Sequence, residues 1–123
     1  MSDFLDTVGV DRSTFAKPEG PAVLEITAEH LNPNGGVHGG VIATLVDTAM
    51  GVAARHRLGD GRHVVTVSLT INFLNPAVVG DVLLITPTVS RVGSRLIFTG
   101  AEVVRSSDRT IIAQAIGSFA IIP

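Results

Sequence analysis

The sequence predicts an α+β domain in which an antiparallel sheet is wrapped on a single long helix. Three features carry the prediction. The 123 residues are 46% hydrophobic and 16% charged, the size and apolar fraction of one domain with its own core. Only one stretch, from about His38 to Leu58, sustains a helical pattern. The other apolar segments alternate with period two, one before that helix and about four in succession after it. No stretch repeats another, so residues 1–123 are read as one domain, with 1–21 as a variable N-terminal segment.

Each element has a local cause. Residues 1–21 have room for a short amphipathic helix, closed by the turn Lys17-Pro18-Glu19-Gly20-Pro21. From Ala22 to His30, Leu24, Ile26 and Ala28 oppose Glu25, Thr27 and Glu29, a strand with one wet face. The turn formers Asn32 to Gly36 end it. The helix stops at Gly59-Asp60-Gly61, with Arg55 and Arg57 near the negative end of its dipole. Val65, Val67, Leu69, Ile71 and Phe73 then alternate with a polar face of Thr66, Ser68, Thr70 and Asn72, up to Asn75-Pro76. Asp81 to Val92 and Leu96 to Arg105 read as strands around Gly93-Ser94, and Thr110 to Ile122 as another, the three forming an antiparallel meander.

Composition removes several function classes. A formal net charge of -2, with nine Lys and Arg scattered singly, supplies no basic stripe for nucleic acid. The absence of cysteine excludes disulfides, cysteine metal sites and a thiol nucleophile. With no Trp or Tyr and only five Phe, the core is aliphatic and stacking platforms are hard to build. His30, His56 and His63 stand apart without zinc-ligand spacing and read as structural or surface residues, so no metal or cofactor is expected. Met1 to Gly9 lack the basic start and apolar run of a secretory leader, and no apolar run approaches the ~18 residues of a membrane span. The expectation is a cytoplasmic protein with no membrane partner.

One carboxylate stands out. On a helical wheel Val41, Ile42, Leu45, Val46, Ala49, Val52 and Ala53 form the buried stripe. The opposite half carries Gly40, Ala43, Thr44, Gly51 and Ala54 around a single acid, Asp47, which has no ion-pair partner three or four residues away. A glycine such as Gly51 costs about 1 kcal/mol in a helix relative to Ala, a cost recovered where a backbone or ligand approaches closely. Asp47 is thus either a solvated surface acid or a functional carboxylate.

The helix entrance favours the second reading. At His38-Gly39-Gly40 the first N–H groups lack intrahelical acceptors and the dipole is positive, which suits a developing oxyanion. The glycine run lacks the Lys and hydroxyl of a phosphate-binding P-loop. Asp47 lies nine residues after His38, about 13 Å along the axis and half a turn out of phase. The two cannot meet at one substrate atom within one chain. If both serve one reaction, a second copy of the helix must supply the partner, which predicts a homodimer with composite sites.

Other candidates have plain alternatives. Asn32 is either a turn residue or an amide donor to a carbonyl oxygen, and Thr66 either a good strand former or a hydroxyl that holds water. His38 is a turn anchor or a support for the site. Arg91 and Arg95 bracket Val92-Gly93-Ser94 at a hairpin tip, solvated or available to a phosphorylated ligand tail.

With these residues in view, the stretches "NPNGGVHGGVIATLVDTAMG" and "VTVSLTINFLNPAVVGD" make the chain resemble the hotdog-fold acyl-CoA thioesterases, in particular the PaaI-like, phenylacetate-pathway type. The resemblance runs from about Ala22 to Ile122. It implies a helix wrapped by a curved antiparallel sheet, assembly into homodimers and homotetramers, and sites at the subunit interface. It implies Asp47 as general base or nucleophile, with the Gly39 N–H and Asn32 amide polarising the thioester carbonyl. Thr66 falls where the family places a water-orienting hydroxyl, although serine is the familiar residue there. His38, Gly40, Arg91, Gly93, Ser94 and Arg95 fall to substrate binding. The implied activity is hydrolysis of a small to medium, aryl or aliphatic acyl-CoA without a cofactor; the rival is a non-catalytic acyl-CoA-binding or regulatory module.

Overall fold

The computed structural model describes residues 3–123. A short helix α1 (Phe4–Thr7) and a 3-10 turn at Arg12–Phe15 precede strand β1 (Ala22–Glu25) and a second 3-10 turn at Ala28–His30. The long helix α2 (Gly39–Leu58) follows, then β2 (His63–Phe73), β3 (Val82–Val92), β4 (Leu96–Arg105) and β5 (Ile111–Ile122). The strands form one antiparallel sheet in the order β1-β3-β4-β5-β2. β3, β4 and β5 make the expected meander, while β2 lies at the far edge. No helix of the described residues is long and apolar enough to cross a membrane.

The sheet curls around α2, whose Leu45, Val46, Met50 and Ala53 are fully buried against inward residues such as Leu83, Ile85, Ile97 and Val103. The sequence-derived stripe needs two amendments. Val52 is only half-buried, whereas Ala54, assigned to the open face, has no exposure. At Gly51 a Cβ would make an ordinary contact, 3.4 Å from the Phe119 ring, so packing within the chain does not by itself demand glycine there.

The first strand is shorter than its alternation suggests, because Ile26 leaves the sheet register. Its N–H donates to Asp81 O at 2.8 Å and its carbonyl accepts from Gly80 at 2.9 Å. Thr27 then opens the 3-10 turn, its N–H donating to the His30 ring Nδ1 at 2.9 Å. His30 is 1% exposed and its Nε2 donates to Gly9 O at 2.9 Å, so the ring ties the N-terminal segment to the turn before α2.

The two edges of the sheet differ. Along β1 the Thr14 hydroxyl accepts from Val23 N at 2.7 Å and donates to Val23 O at 2.8 Å, covering that edge. Leu5, Val10 and Phe15 of the same segment are buried in the core. The outer edge of β2 has no neighbouring strand among the described residues. Val65 and Val67 on β2 are 48% and 59% exposed.

Candidate active site

The geometry of β2 decides what faces Asp47. Alternation alone puts Thr66 on the wet face with Ser68, but the register slips between these two residues. This bulge inverts the side chain at Thr66, a common use of bulges beside functional sites. Ser68 therefore points outward to Ser118, their hydroxyls 2.6 Å apart, while Thr66 pairs with inward-facing Phe119. Its Oγ1 donates to Asp47 Oδ1 at 2.7 Å. The acid without a partner on its own helix thus has one on the sheet.

Asp47 and Thr66 line a concavity of about 290 Å³ together with Gly51, Phe119, Arg55 and His63. Asp47 is half-buried there, and Oδ1 alone is engaged by protein among the described residues. The carboxylate thus stays open to a water or a substrate carbon. Arg55 and His63 are neighbours that sequence reading missed, since one looked like a dipole partner and the other a surface histidine. Their proximity follows from the Asp47 to Thr66 contact, which lays the C-terminal half of α2 beside the start of β2.

The entrance of α2 forms a second concavity, of about 420 Å³, lined by Asn32, Gly39, Ile42, Phe73 and Leu74 among others. The donors there are sorted by local bonding. His38 is the N-cap residue: its Nδ1 accepts the Gly40 N–H at 2.8 Å and its carbonyl accepts from Val41 at 2.9 Å. The Gly40 N–H is therefore spent inside the loop, and the His38 ring serves as the cap. Gly39 N–H has no acceptor among the described residues, and Gly39 lines the concavity beside the Phe73 ring. Asn32 Oδ1 accepts from Asn34 N at 2.9 Å, which fixes the amide orientation and leaves Nδ2 free to donate. The loop is pinned from both sides, His38 N donating to His30 O at 2.7 Å and Val37 N to Ala77 O at 2.9 Å.

Within one chain the Asp47–Thr66 pair and the Gly39–Asn32 donors belong to separate concavities. The hairpin tip carrying Gly93, Ser94 and Arg95, with Arg91 just before it, lines neither. It sits at the end of the sheet that also carries His63, since Ile121 N donates to Arg95 O at 2.9 Å and Ile122 pairs with His63. No group of three or more His, Cys, Asp or Glu side chains that could hold a metal ion occurs among the described residues.

Comparison with known proteins gives a consistent picture. The profile of the thioesterase superfamily matches residues 34–112. A putative esterase of Caenorhabditis elegans is 38% identical over 100 residues, 81% of this chain and 59% of the relative. Human acyl-coenzyme A thioesterase 13 is 33% identical over 93 residues, 74% of this chain and 64% of the relative. The chain thus spans less than two thirds of the length of these two relatives. Among solved structures, a conserved protein of Pseudomonas aeruginosa superposes with a TM-score of 0.86 at 29% identity, over 99% of this chain and 95% of that one. The PaaI protein of the Escherichia coli phenylacetic acid degradation operon gives 0.76 at 32% identity, covering 85% and 75%. A Bacillus halodurans protein crystallised with CoA gives 0.77 at 31% identity, covering 83% and 66%. With one long helix inside a curled five-stranded antiparallel sheet, and a profile match running from the turn before that helix into the last strand, the chain belongs to the hotdog-fold thioesterase superfamily.

Proposed function

We propose that the protein is a thioester hydrolase that cleaves small to medium acyl-CoA thioesters to the free acid and CoA, in sites shared between two subunits. The observation that carries this reading is the pair of half-sites: a carboxylate held by Thr66 in one concavity and an unpaired Gly39 N–H in the other. Relatives named acyl-coenzyme A thioesterase and a similar structure crystallised with CoA support the substrate class.

In the proposed reaction, the thioester carbonyl oxygen accepts hydrogen bonds from Gly39 N–H and Asn32 Nδ2–H of one subunit. Asp47 of the other subunit takes a proton from water as the water oxygen attacks the carbonyl carbon; alternatively its carboxylate attacks that carbon directly and water later cleaves the anhydride. Either way the C–S bond breaks, and sulfur leaves as a thiolate that takes up a proton. Thr66 orients the carboxylate. A positioned base contributes about 10² to 10⁴-fold and an oxyanion donor about 10² to 10³-fold. Arg91 and Arg95, at the tip formed with Gly93 and Ser94, are assigned to the CoA phosphates. The helix cap made by His38 and Gly40 holds the oxyanion donor in place.

The open edge of β2 supports a homodimer. An exposed, apolar edge strand is a template for pairing with another chain, and in this protein the opposite edge is already covered by Thr14. Further association into a homotetramer belongs to the same reading.

A free-thiol release assay over acyl-CoAs of graded length and aromaticity tests the activity. Asp47→Asn is expected to lower kcat by about 10² to 10⁴-fold while retaining substrate binding. Tight binding with no hydrolysis of any thioester by the wild type would instead establish an acyl-CoA-binding module.

A further inference from the structure

The concavity that holds Asp47 and Thr66 also carries an arginine and a histidine that hydrolysis does not use. Arg55 lies eight residues beyond Asp47 on α2, about 12 Å along the axis. His63 lies three residues before Thr66 on β2, about 10 Å along the strand. As both line the same concavity, these displacements lead to one end of it. Neither side chain has a carboxylate partner among the described residues, although their sequence neighbours do: His56 and Arg57 face Glu19, and Arg62 faces Asp60. The rest of the lining is Thr48 and the apolar Gly51, Val52, Val64 and Phe119. A guanidinium and an imidazole in such a lining are placed to receive an anion that a short apolar chain carries.

We propose that Arg55 and His63 form a subsite for a carboxylate at the far end of the acyl group, so that the preferred substrates are short ω-carboxyacyl thioesters. This rests on the acyl-CoA reading given above. The phosphates of CoA are the other anions of such a substrate, but they hang at the end of the long pantetheine arm. Helix side chains lean toward the N-terminus, which brings the Arg55 guanidinium closer to Asp47 than the axial separation of the two residues. A short acyl chain spans that gap, and the pantetheine arm overshoots it.

The test compares kcat/KM for adipoyl-CoA and hexanoyl-CoA, which match in chain length and differ in the terminal carboxylate, using wild type, Arg55→Gln and His63→Gln. Wild type is expected to prefer adipoyl-CoA, and the adipoyl-to-hexanoyl ratio to fall about fivefold in Arg55→Gln, the upper scale of an exposed charge pair. A wild type that prefers hexanoyl-CoA, or a ratio unchanged in both variants, overturns the proposal. So does an equal loss on both CoA thioesters that disappears with the corresponding pantetheine thioesters, since Arg55 would then hold nucleotide phosphates. Equilibrium binding of the two CoA thioesters to Asp47→Asn protein reads the same ratio without turnover. A binding preference that falls when Arg55→Gln is added supports the subsite even if wild type hydrolyses neither thioester, an outcome that sinks the catalytic reading alone.

Discussion

At the first turn of α2, three consecutive N–H groups have different fates. Those of Gly40 and Val41 are taken by the ring and carbonyl of His38, and that of Gly39 has no acceptor among the described residues. Gly39→Pro separates the N–H from the fold, because proline is accepted at the first helical position and removes one donor. On the proposed mechanism it lowers kcat by about 10² to 10³-fold with little change in thermal stability. Gly39→Ala keeps the donor and sets a Cβ 3.4 Å from the Phe73 ring, so it is expected to retain most of the activity. A proline variant with wild-type turnover would show that this N–H is not the oxyanion donor. Asp47, Gly39 and Asn32 were all legible as candidates from residue type and spacing. The side on which Thr66 points was not, because period-two alternation has no means of placing the bulge before Ser68.

The elements were read closely where a backbone signal marks their ends. Helix α2 starts one residue after His38, as expected for a residue that caps, and ends before Gly59, whose φ of 67° suits glycine. The first strand ends before its alternation does, because Ile26 to Ala28 keep alternating polarity after the backbone has turned away to Asp81 and Gly80. Burial of Ala54 and half-burial of Val52 likewise depend on what covers α2, which no helical wheel contains. The N-terminal segment is part of that cover, and Glu19 ties it to the end of α2 through Arg57 and His56. The hydrogen bond from Arg57 holds the Glu19 carboxyl below its usual value of 4.5, with the attraction of the two cations adding to it. A lowered folded-state value contributes stability above the ordinary glutamate range, and the contribution is lost as pH falls through the lowered value. Glu19→Gln is therefore expected to reduce Tm slightly at pH 7, with the difference from wild type shrinking once pH drops below about 4.5. A difference independent of pH in the same melting series would assign the effect to packing.

For the whole molecule, the covered edge at β1 and the open edge at β2 leave one side of the sheet for the proposed assembly. If each site joins Asp47 of one subunit to Gly39 of the other, mixing Asp47→Asn with Gly39→Pro protein makes a testable dimer. Random reassortment puts half the chains into mixed dimers, each with one intact site, so activity is expected to recover to about a quarter of wild type. No recovery after confirmed subunit exchange would place both residues in one chain's site. The sequence by itself determined the single long helix, the meander and the separation of Asp47 from the helix entrance, because helical rise and strand alternation are local properties of the chain. Only the tertiary structure decided that Thr66 reaches Asp47, that Arg55 and His63 share its concavity, and which sheet edge stays open. Those depend on a register slip, on where α2 lies against β2, and on where the N-terminal segment folds back, contacts between residues far apart in the chain.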